Sequence, residues 1–128
     1  MAVKVVDASA LGALLFGEPE GRAVADRLRN AELIAPSLLG FEVANICLKK
    51  IRRHPAQRDA LLEAFGMASR MPIATVEVEH ADALGLAEET GLSAYDASYL
   101  WLSRRYGGEL VTLDKRLTAT ARRSASAR

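Results

Sequence analysis

The sequence predicts one α/β domain over residues 1–128, a three-layer α/β/α sandwich with a parallel sheet between two layers of helices. Short apolar runs at residues 3–6, 33–35 and 110–113 have the length and composition of buried strands. Segments of helical periodicity separate each strand from the next, and this alternation is typical of parallel strands with helices on both faces. A chain of 128 residues is also the size of a single domain with its own core.

Turn and cap signals set the elements of the first half. Residues 17–21 hold two glycines and a proline and separate the first two helices. Pro36 ends the second strand, and Ser37 is placed to cap the long helix that follows. The pair His54-Pro55 interrupts that helix before the next one begins. In order, the predicted elements are strand 3–6, helices 8–16 and 22–29, strand 33–35, and helices 38–53 and 56–70.

Similar signals set the second half. Pro72 opens a strand, and Gly91 is a typical residue just beyond the end of a helix. Ser93 begins the next helix, which the pair Gly107-Gly108 ends. The predicted elements are strand 72–78, helices 79–90 and 93–106, strand 110–113 and helix 115–123.

The composition indicates an ordinary globular protein: half of the residues are hydrophobic, 26% are charged and the net charge is +1. This charge argues against a nonspecific polycation that coats nucleic acid. The basic residues are nevertheless clustered at predicted helix ends, where they complement the helix dipole or, beside a metal site, hold a phosphate backbone. The clusters are Lys49, Lys50, Arg52 and Arg53; Arg104 and Arg105; and Arg122, Arg123 and Arg128.

Several features bear on the compartment. The single cysteine, Cys47, cannot form an internal disulfide and is predicted to be a buried apolar residue. The first residues enter a strand at once, so we expect no leader peptide. No apolar run has the length needed to span a bilayer, and we expect a cytoplasmic protein. The tail from about residue 122 is polar and is expected to be frayed.

Four acidic residues carry the functional prediction. Asp7 and Asp114 each follow an apolar strand directly, at the carboxyl end of a parallel sheet, where ligands bind. Glu42 falls in the apolar stripe of helix 38–53, and Asp96 lies in the first turn of helix 93–106. Carboxylates turned toward the interior repel one another and are costly unless a cation meets them. The four therefore predict a divalent metal site.

Each acid also has a purely structural interpretation. Asp7 and Asp114 are placed to cap the helices that follow them. Asp96 stands three residues after Ser93, the spacing of a capping box. Glu42 could pair with an arginine from elsewhere in the chain. Glu42 discriminates best between the two interpretations, because proteins seldom bury an unpaired acid.

Three polar residues are predicted to support the acids. Ser9 could bind a metal-bound water or support the turn after Asp7. Thr112 precedes Asp114 by two residues and so lies on the same side of the extended chain, where its hydroxyl could hold a water or a carboxylate. Asn45 is the polar neighbour that the apolar stripe offers to Glu42.

The residues around these acids, in this order, resemble a PIN domain, in particular the VapC toxins of prokaryotic type II toxin–antitoxin modules. The resemblance covers nearly the whole chain, and its four acidic positions fall on Asp7, Glu42, Asp96 and Asp114. The segments that carry it are Val5-Val6-Asp7-Ala8-Ser9-Ala10-Leu11, Phe41-Glu42-Val43-Ala44-Asn45, Leu92-Ser93-Ala94-Tyr95-Asp96-Ala97 and Leu113-Asp114-Lys115-Arg116-Leu117.

The resemblance implies a PIN-like sandwich with a sheet of four to five parallel strands. It also implies an endoribonuclease that uses Mg²⁺ or Mn²⁺ at the four acids, forms a homodimer and is inhibited by a cognate VapB-type antitoxin. Members of the family usually end with one more strand, whereas this chain ends in serine, alanine and arginine.

Two other functions remain open. A phosphatase of the haloacid dehalogenase type needs a second aspartate two residues after the first, and Ser9 stands at that position. The other alternative is a catalytically silent PIN-like module that only binds RNA or a protein. A complete set of four acids argues against silence, and metal-dependent cleavage would separate the two.

Overall fold

A computed structural model of the chain describes residues 1–126, with side chains described as far as residue 123. Four strands form one parallel sheet in the order β3-β2-β1-β4: β1 (Ala2–Val6), β2 (Ala31–Pro36), β3 (Ile73–Val76) and β4 (Glu109–Val111). The register pairs Val5 with Ile34 on one side and with Leu110 on the other. Strand β1 therefore has a hydrogen-bonded neighbour on each side. The residues that follow it lie between those that follow β2 and β4, at the carboxyl edge of the sheet.

Within residues 1–126, seven α-helices connect and flank the strands. They are α1 (Ala8–Leu15), α2 (Gly21–Leu28), α3 (Leu39–Arg53), α4 (Arg58–Gly66), α5 (His80–Thr90), α6 (Ala94–Tyr106) and α7 (Lys115–Ser126). Connections between parallel strands are right-handed. The path β1 to β2 to β3 moves in one direction across the sheet, and the return from β3 to β4 moves in the other. This places α1–α4 on one face and α5 and α6 on the opposite face, so the predicted three-layer architecture with four strands is confirmed.

The core lies between the sheet and these two helical layers. Val5, Val6 and Val111 are fully buried in the strands, and Leu102 of α6 is buried against them. Helix α6 packs on β1, β2 and β4 and therefore covers the middle of its face. Its first turn consequently lies close to the residues that end β1 and β4.

The structure differs from the predicted elements at several ends. The predicted helix 56–70 is α4 flanked by 3₁₀ turns at Pro55–Gln57 and Met67–Arg70. Ser37 does not cap α3, whose N-terminus has no side-chain cap. The last helix continues to Ser126, so residues 122–126 of the predicted frayed tail are helical, and residues 127 and 128 lie outside the described residues. No fifth strand follows α7 within residues 1–126.

Gly108, at the entrance to β4, gives a stability prediction. A Cβ atom at this residue would lie 2.7 Å from the carbonyl oxygen of Val3 on the neighbouring strand, so the two backbones would have to separate. We expect Gly108→Ala to lower the free energy of unfolding by about 1–3 kcal/mol. Gly85 of α5 has open space around the same position. Gly85→Ala should therefore raise stability by about 0.5–1 kcal/mol, and equal signs for the two variants in chemical denaturation would contradict this explanation.

Candidate active site

Asp7 follows β1 and is almost completely buried, at 4% exposure. It caps α1: its Oδ1 accepts a hydrogen bond from the backbone N–H of Ala10 at 3.0 Å. The hydroxyl of Ser9 donates to the same oxygen at 2.8 Å, and the hydroxyl of Thr112 donates to Oδ2. The capping interpretation of Asp7 is therefore correct. The cap explains only the hydrogen bond from Ala10. The hydroxyls of Ser9 and Thr112 hold the carboxylate in position beyond the strand.

Ser9 and Thr112 tie the end of β1 to the end of β4. The Ser9 hydroxyl accepts from the backbone N–H of Leu113 at 2.9 Å, and its oxygen lies 3.3 Å from that of Thr112. Thr112 accepts from the backbone N–H of Asp114 at 3.0 Å. Asp114 in turn caps α7 by accepting from Leu117 N–H at 2.8 Å. This network holds Asp7 and Asp114 beside each other, as the sequence predicts for two acids that end neighbouring strands.

Glu42 reaches the site from α3, and its partner is a tyrosine. The hydroxyl of Tyr99, a residue of α6 with 1% exposure, donates to Glu42 Oε1 at 2.6 Å. No arginine occupies this position in the described residues. Asn45 is exposed on α3 and makes no side-chain hydrogen bond in the described part of the chain, so the predicted support from Asn45 is absent there.

Tyr99 is the site residue that the sequence analysis missed. The sequence pattern does not distinguish it from other core residues, and its ring lies in the core. The signal that could have identified it is its spacing: it lies one helical turn after Asp96, on the same side of α6. A buried tyrosine hydroxyl needs a partner, and the only acid of α3 is Glu42.

Asp96 is half-buried in the first turn of α6. The backbone N–H of Asp96 donates to the hydroxyl of Ser93 at 3.0 Å, which is one half of a capping box. The helix cap thus depends on the backbone of Asp96 and on Ser93. The carboxylate of Asp96 is influenced by the negative charges of Asp114 and Asp7. Arg116 and the Ser93 side chain partly oppose their effect on its pKa.

The electrostatics show that the four acids share one site. Burial raises the pKa of Asp7, Glu42 and Asp96, and in each case the negative charge of another acid of the set raises it further. Asp7 is affected by Asp114, and Glu42 by Asp96 and Asp7. Burial and the hydrogen bond to Glu42 likewise raise the pKa of Tyr99, which therefore stays protonated and acts as a donor. The carboxylates that follow β1 and β4 and those on α3 and α6 thus lie within electrostatic range of one another at the carboxyl edge of the sheet.

The donor set fits a hard divalent cation, since Mg²⁺ and Mn²⁺ prefer carboxylate oxygens and keep several waters. In the described residues, however, no three acidic, histidine or cysteine side chains lie close enough together to hold an ion as they stand. The chemistry of the donors supports a metal site, and ion binding would require the carboxylates to move closer together.

Thr112 gives a prediction about how the site is positioned. Thr112→Val keeps the shape of the side chain but removes both the donor to Asp7 and the acceptor for Asp114 N–H. Loss of such a supporting hydrogen bond typically costs about 10- to 100-fold in metal affinity or activity. We expect a loss of that size in Mn²⁺ affinity, measured by titration of the purified protein. Thr112→Ser, which keeps the hydroxyl, should retain most of the affinity, and equal losses in both variants would contradict the positioning role.

The fold and the four acids define a class, the PIN domains, and comparison with known proteins agrees. The PIN domain family model matches residues 4–123. The crystal structure of PAE2754 from Pyrobaculum aerophilum superposes with a TM-score of 0.76 at 28% identity, covering 93% of this chain and 84% of that one.

Two curated relatives narrow the class. Ribonuclease VapC3 of Pyrobaculum aerophilum is 34% identical over 118 residues, covering 88% of this chain and 90% of the relative. Ribonuclease VapC9 of Mycobacterium tuberculosis is 36% identical over 123 residues, covering 91% and 89%. The chain belongs to the PIN-domain family and, within it, to the VapC ribonucleases.

Proposed function

We propose that this chain is the endoribonuclease toxin of a VapBC-type toxin–antitoxin pair and cleaves RNA with Mg²⁺ or Mn²⁺ held by Asp7, Glu42, Asp96 and Asp114. The observation that carries the proposal is the convergence of these four carboxylates at the carboxyl edge of the sheet. Burial and neighbouring acids raise the pKa of Asp7, Glu42 and Asp96, and the opposing charge of Arg116 at Asp96 does not cancel this rise. Two relatives at 34% and 36% identity are named as VapC ribonucleases, which supports RNA as the substrate.

A bound Mg²⁺ or Mn²⁺ would supply an activated water and stabilise negative charge on the phosphate. The residues of the chain supply the geometry. Thr112 and Ser9 hold Asp7 through both of its oxygens, and the protonated Tyr99 holds Glu42. Asp7 and Asp96 are the proposed direct ligands, and Glu42 and Asp114 either bind directly or orient waters. The acids would repel the RNA backbone until a metal offsets their charge, so the metal serves substrate binding as well as chemistry.

The partners follow from the same family. We propose that a VapB-type antitoxin inhibits the enzyme, that the active form is a homodimer and that the protein acts in the cytoplasm. Within residues 1–126, none of the helices combines the length and the apolar character required to cross a membrane.

The alternative is a silent PIN-like module that binds RNA or a protein without cleaving it. The complete set of four acids argues against it, because the buried Asp7 and the half-buried Glu42 would lower stability and a silent module would have no use for them. Each is also supplied with hydrogen-bond donors that fix its orientation.

The proposal is tested by incubating antitoxin-free protein with a total prokaryotic RNA pool, with Mg²⁺ or Mn²⁺ and with EDTA. We expect discrete products with the metals and their complete loss in EDTA, and sequencing the product ends would identify the target. Folded protein that cleaves nothing with either metal would favour the silent module. Products that persist in EDTA would contradict the metal mechanism.

A further inference from the structure

A cavity of about 260 Å³ opens at the carboxyl edge of the sheet, and its lining includes Tyr95, the sequence neighbour of Asp96. Its walls come from the ends of β2 and β3 and from the first turns of α5 and α6. We call it the side pocket. The residues used below are its apolar members Leu38, Val78 and Ala83 and its polar members Glu77, His80 and Tyr95.

The side pocket and the acidic site share two helices. Leu38, in the side pocket, lies one helical turn before Glu42 at the start of α3. On α6, Tyr95 and Ser98 line the pocket, whereas Asp96 and Tyr99 serve the acidic site. Consecutive helical residues are about 100° apart around the axis, so the two sites occupy adjacent faces of the same helical turn. A nucleotide whose phosphate lies at the acids is therefore within reach of the pocket.

The chemistry of the side pocket suits a nucleobase. Apolar side chains form much of its lining, and Tyr95, at 65% exposure, presents an aromatic ring that is not used in the core. Bases of single-stranded RNA are commonly turned out of the stack, stacked on aromatic side chains and read at their edges by polar groups. Glu77 and His80, both exposed, supply an acceptor and a second polar group at the pocket.

We propose that the side pocket binds one unstacked base of the RNA substrate, next to the phosphate that is cleaved, and so determines the sequence at the cut. Tyr95 stacks on this base, and Glu77 reads its hydrogen-bonding edge. The inference rests on the proposed function, because it assigns the pocket to the substrate of the acidic site.

The test maps the ends of RNA products from wild type, Tyr95→Ala, Glu77→Gln and Tyr106→Ala, with Mn²⁺ binding measured for each. Tyr106 is the matched control: it is also exposed on α6, about 16 Å further along the helix axis. We expect a preferred base at one fixed position beside the cut in wild type and in Tyr106→Ala. Tyr95→Ala should raise KM roughly 5- to 150-fold, the range for loss of one stacked base. Glu77→Gln should change the preferred base, and all four proteins should bind Mn²⁺ alike.

The outcomes separate the two proposals. Wild type that cleaves nothing contradicts the proposed function and this inference with it. Active wild type with no base preference, or with the same preference and KM in all four proteins, overturns the side pocket alone. Loss of Mn²⁺ binding in Tyr95→Ala would overturn it too, since the residue would then act through Asp96 and not on a base.

Discussion

Replacing Asp96 with asparagine is expected to lower RNA cleavage by more than about 100-fold, since loss of a direct ligand should exceed the loss of a supporting hydrogen bond. The same change should leave the metal-free protein at least as stable as wild type. The cap of α6 uses the backbone N–H of Asp96 and the Ser93 hydroxyl, which asparagine leaves intact. Burial and two neighbouring acids raise the pKa of Asp96, so its charge at neutral pH costs stability that a neutral amide restores.

The matched control for this prediction is Asp82→Asn. Asp82 is the third residue of α5, as Asp96 is of α6, and it is exposed. It should retain full cleavage, because it loses a charge at the same helical position without touching the acidic site. RNA cleavage and melting temperature, measured on both variants, distinguish a role of Asp96 in the active site from a structural role. A fall in melting temperature for Asp96→Asn would show a structural role, and full activity would remove Asp96 from the site.

Mn²⁺ is expected to raise the melting temperature of the wild-type chain substantially. A ligand that binds only the folded state at about 100 times its Kd adds about 2.7 kcal/mol. For a domain of this size, that corresponds to a shift on the order of 10 °C. The physical reason is that the cation offsets the repulsion between Asp7, Asp96 and Asp114. This repulsion contributes to the raised pKa of Asp7 and of Asp96.

The control for the metal shift is the same titration on Asp96→Asn, whose shift should be much smaller at equal Mn²⁺. Asp82→Asn should behave like wild type, because Asp82 lies outside the set of converging acids. An equal shift in all three proteins would place the bound Mn²⁺ elsewhere on the surface. Absence of any shift in wild type would mean that the acids do not hold the ion in the absence of RNA.

Much of the fold could be predicted because its signals are local. The run at residues 3–6 has the apolar pattern of a central strand, and Gly91 and Gly107 both adopt the left-handed conformation that ends a helix. The wrong predictions concern helix ends and turns. The predicted helix 56–70 breaks into a helix between 3₁₀ turns, and Ser37 does not cap, because turn geometry depends on packing as well as residue type.

The site also contains residues that the sequence indicates and one that it does not. The positions of Asp7 and Asp114 beyond the ends of β1 and β4 follow from the apolar runs that precede them, and hydrogen bonds from Ser9 and Thr112 link these two chain segments. The partner of Glu42 was not predictable in this way. Tyr99 is 57 residues further along the chain, and only the complete fold, which brings the Glu42 end of α3 and α6 to the same edge of the sheet, places its hydroxyl at the carboxylate. Asn45 was predicted as the polar neighbour of Glu42 because it lies three residues further along the same helix. Its side chain is exposed.

The central claim is that the metal held by the four acids is the metal that cleaves RNA. It is tested most directly by one Mn²⁺ titration in which bound ion, counted by electron paramagnetic resonance, and RNA cleavage are measured at the same temperature. The account predicts that binding and cleavage rise together with one midpoint, and that Asp96→Asn loses both. Cleavage that saturates far from the binding midpoint, or Mn²⁺ binding that survives in Asp96→Asn while cleavage is lost, would contradict it.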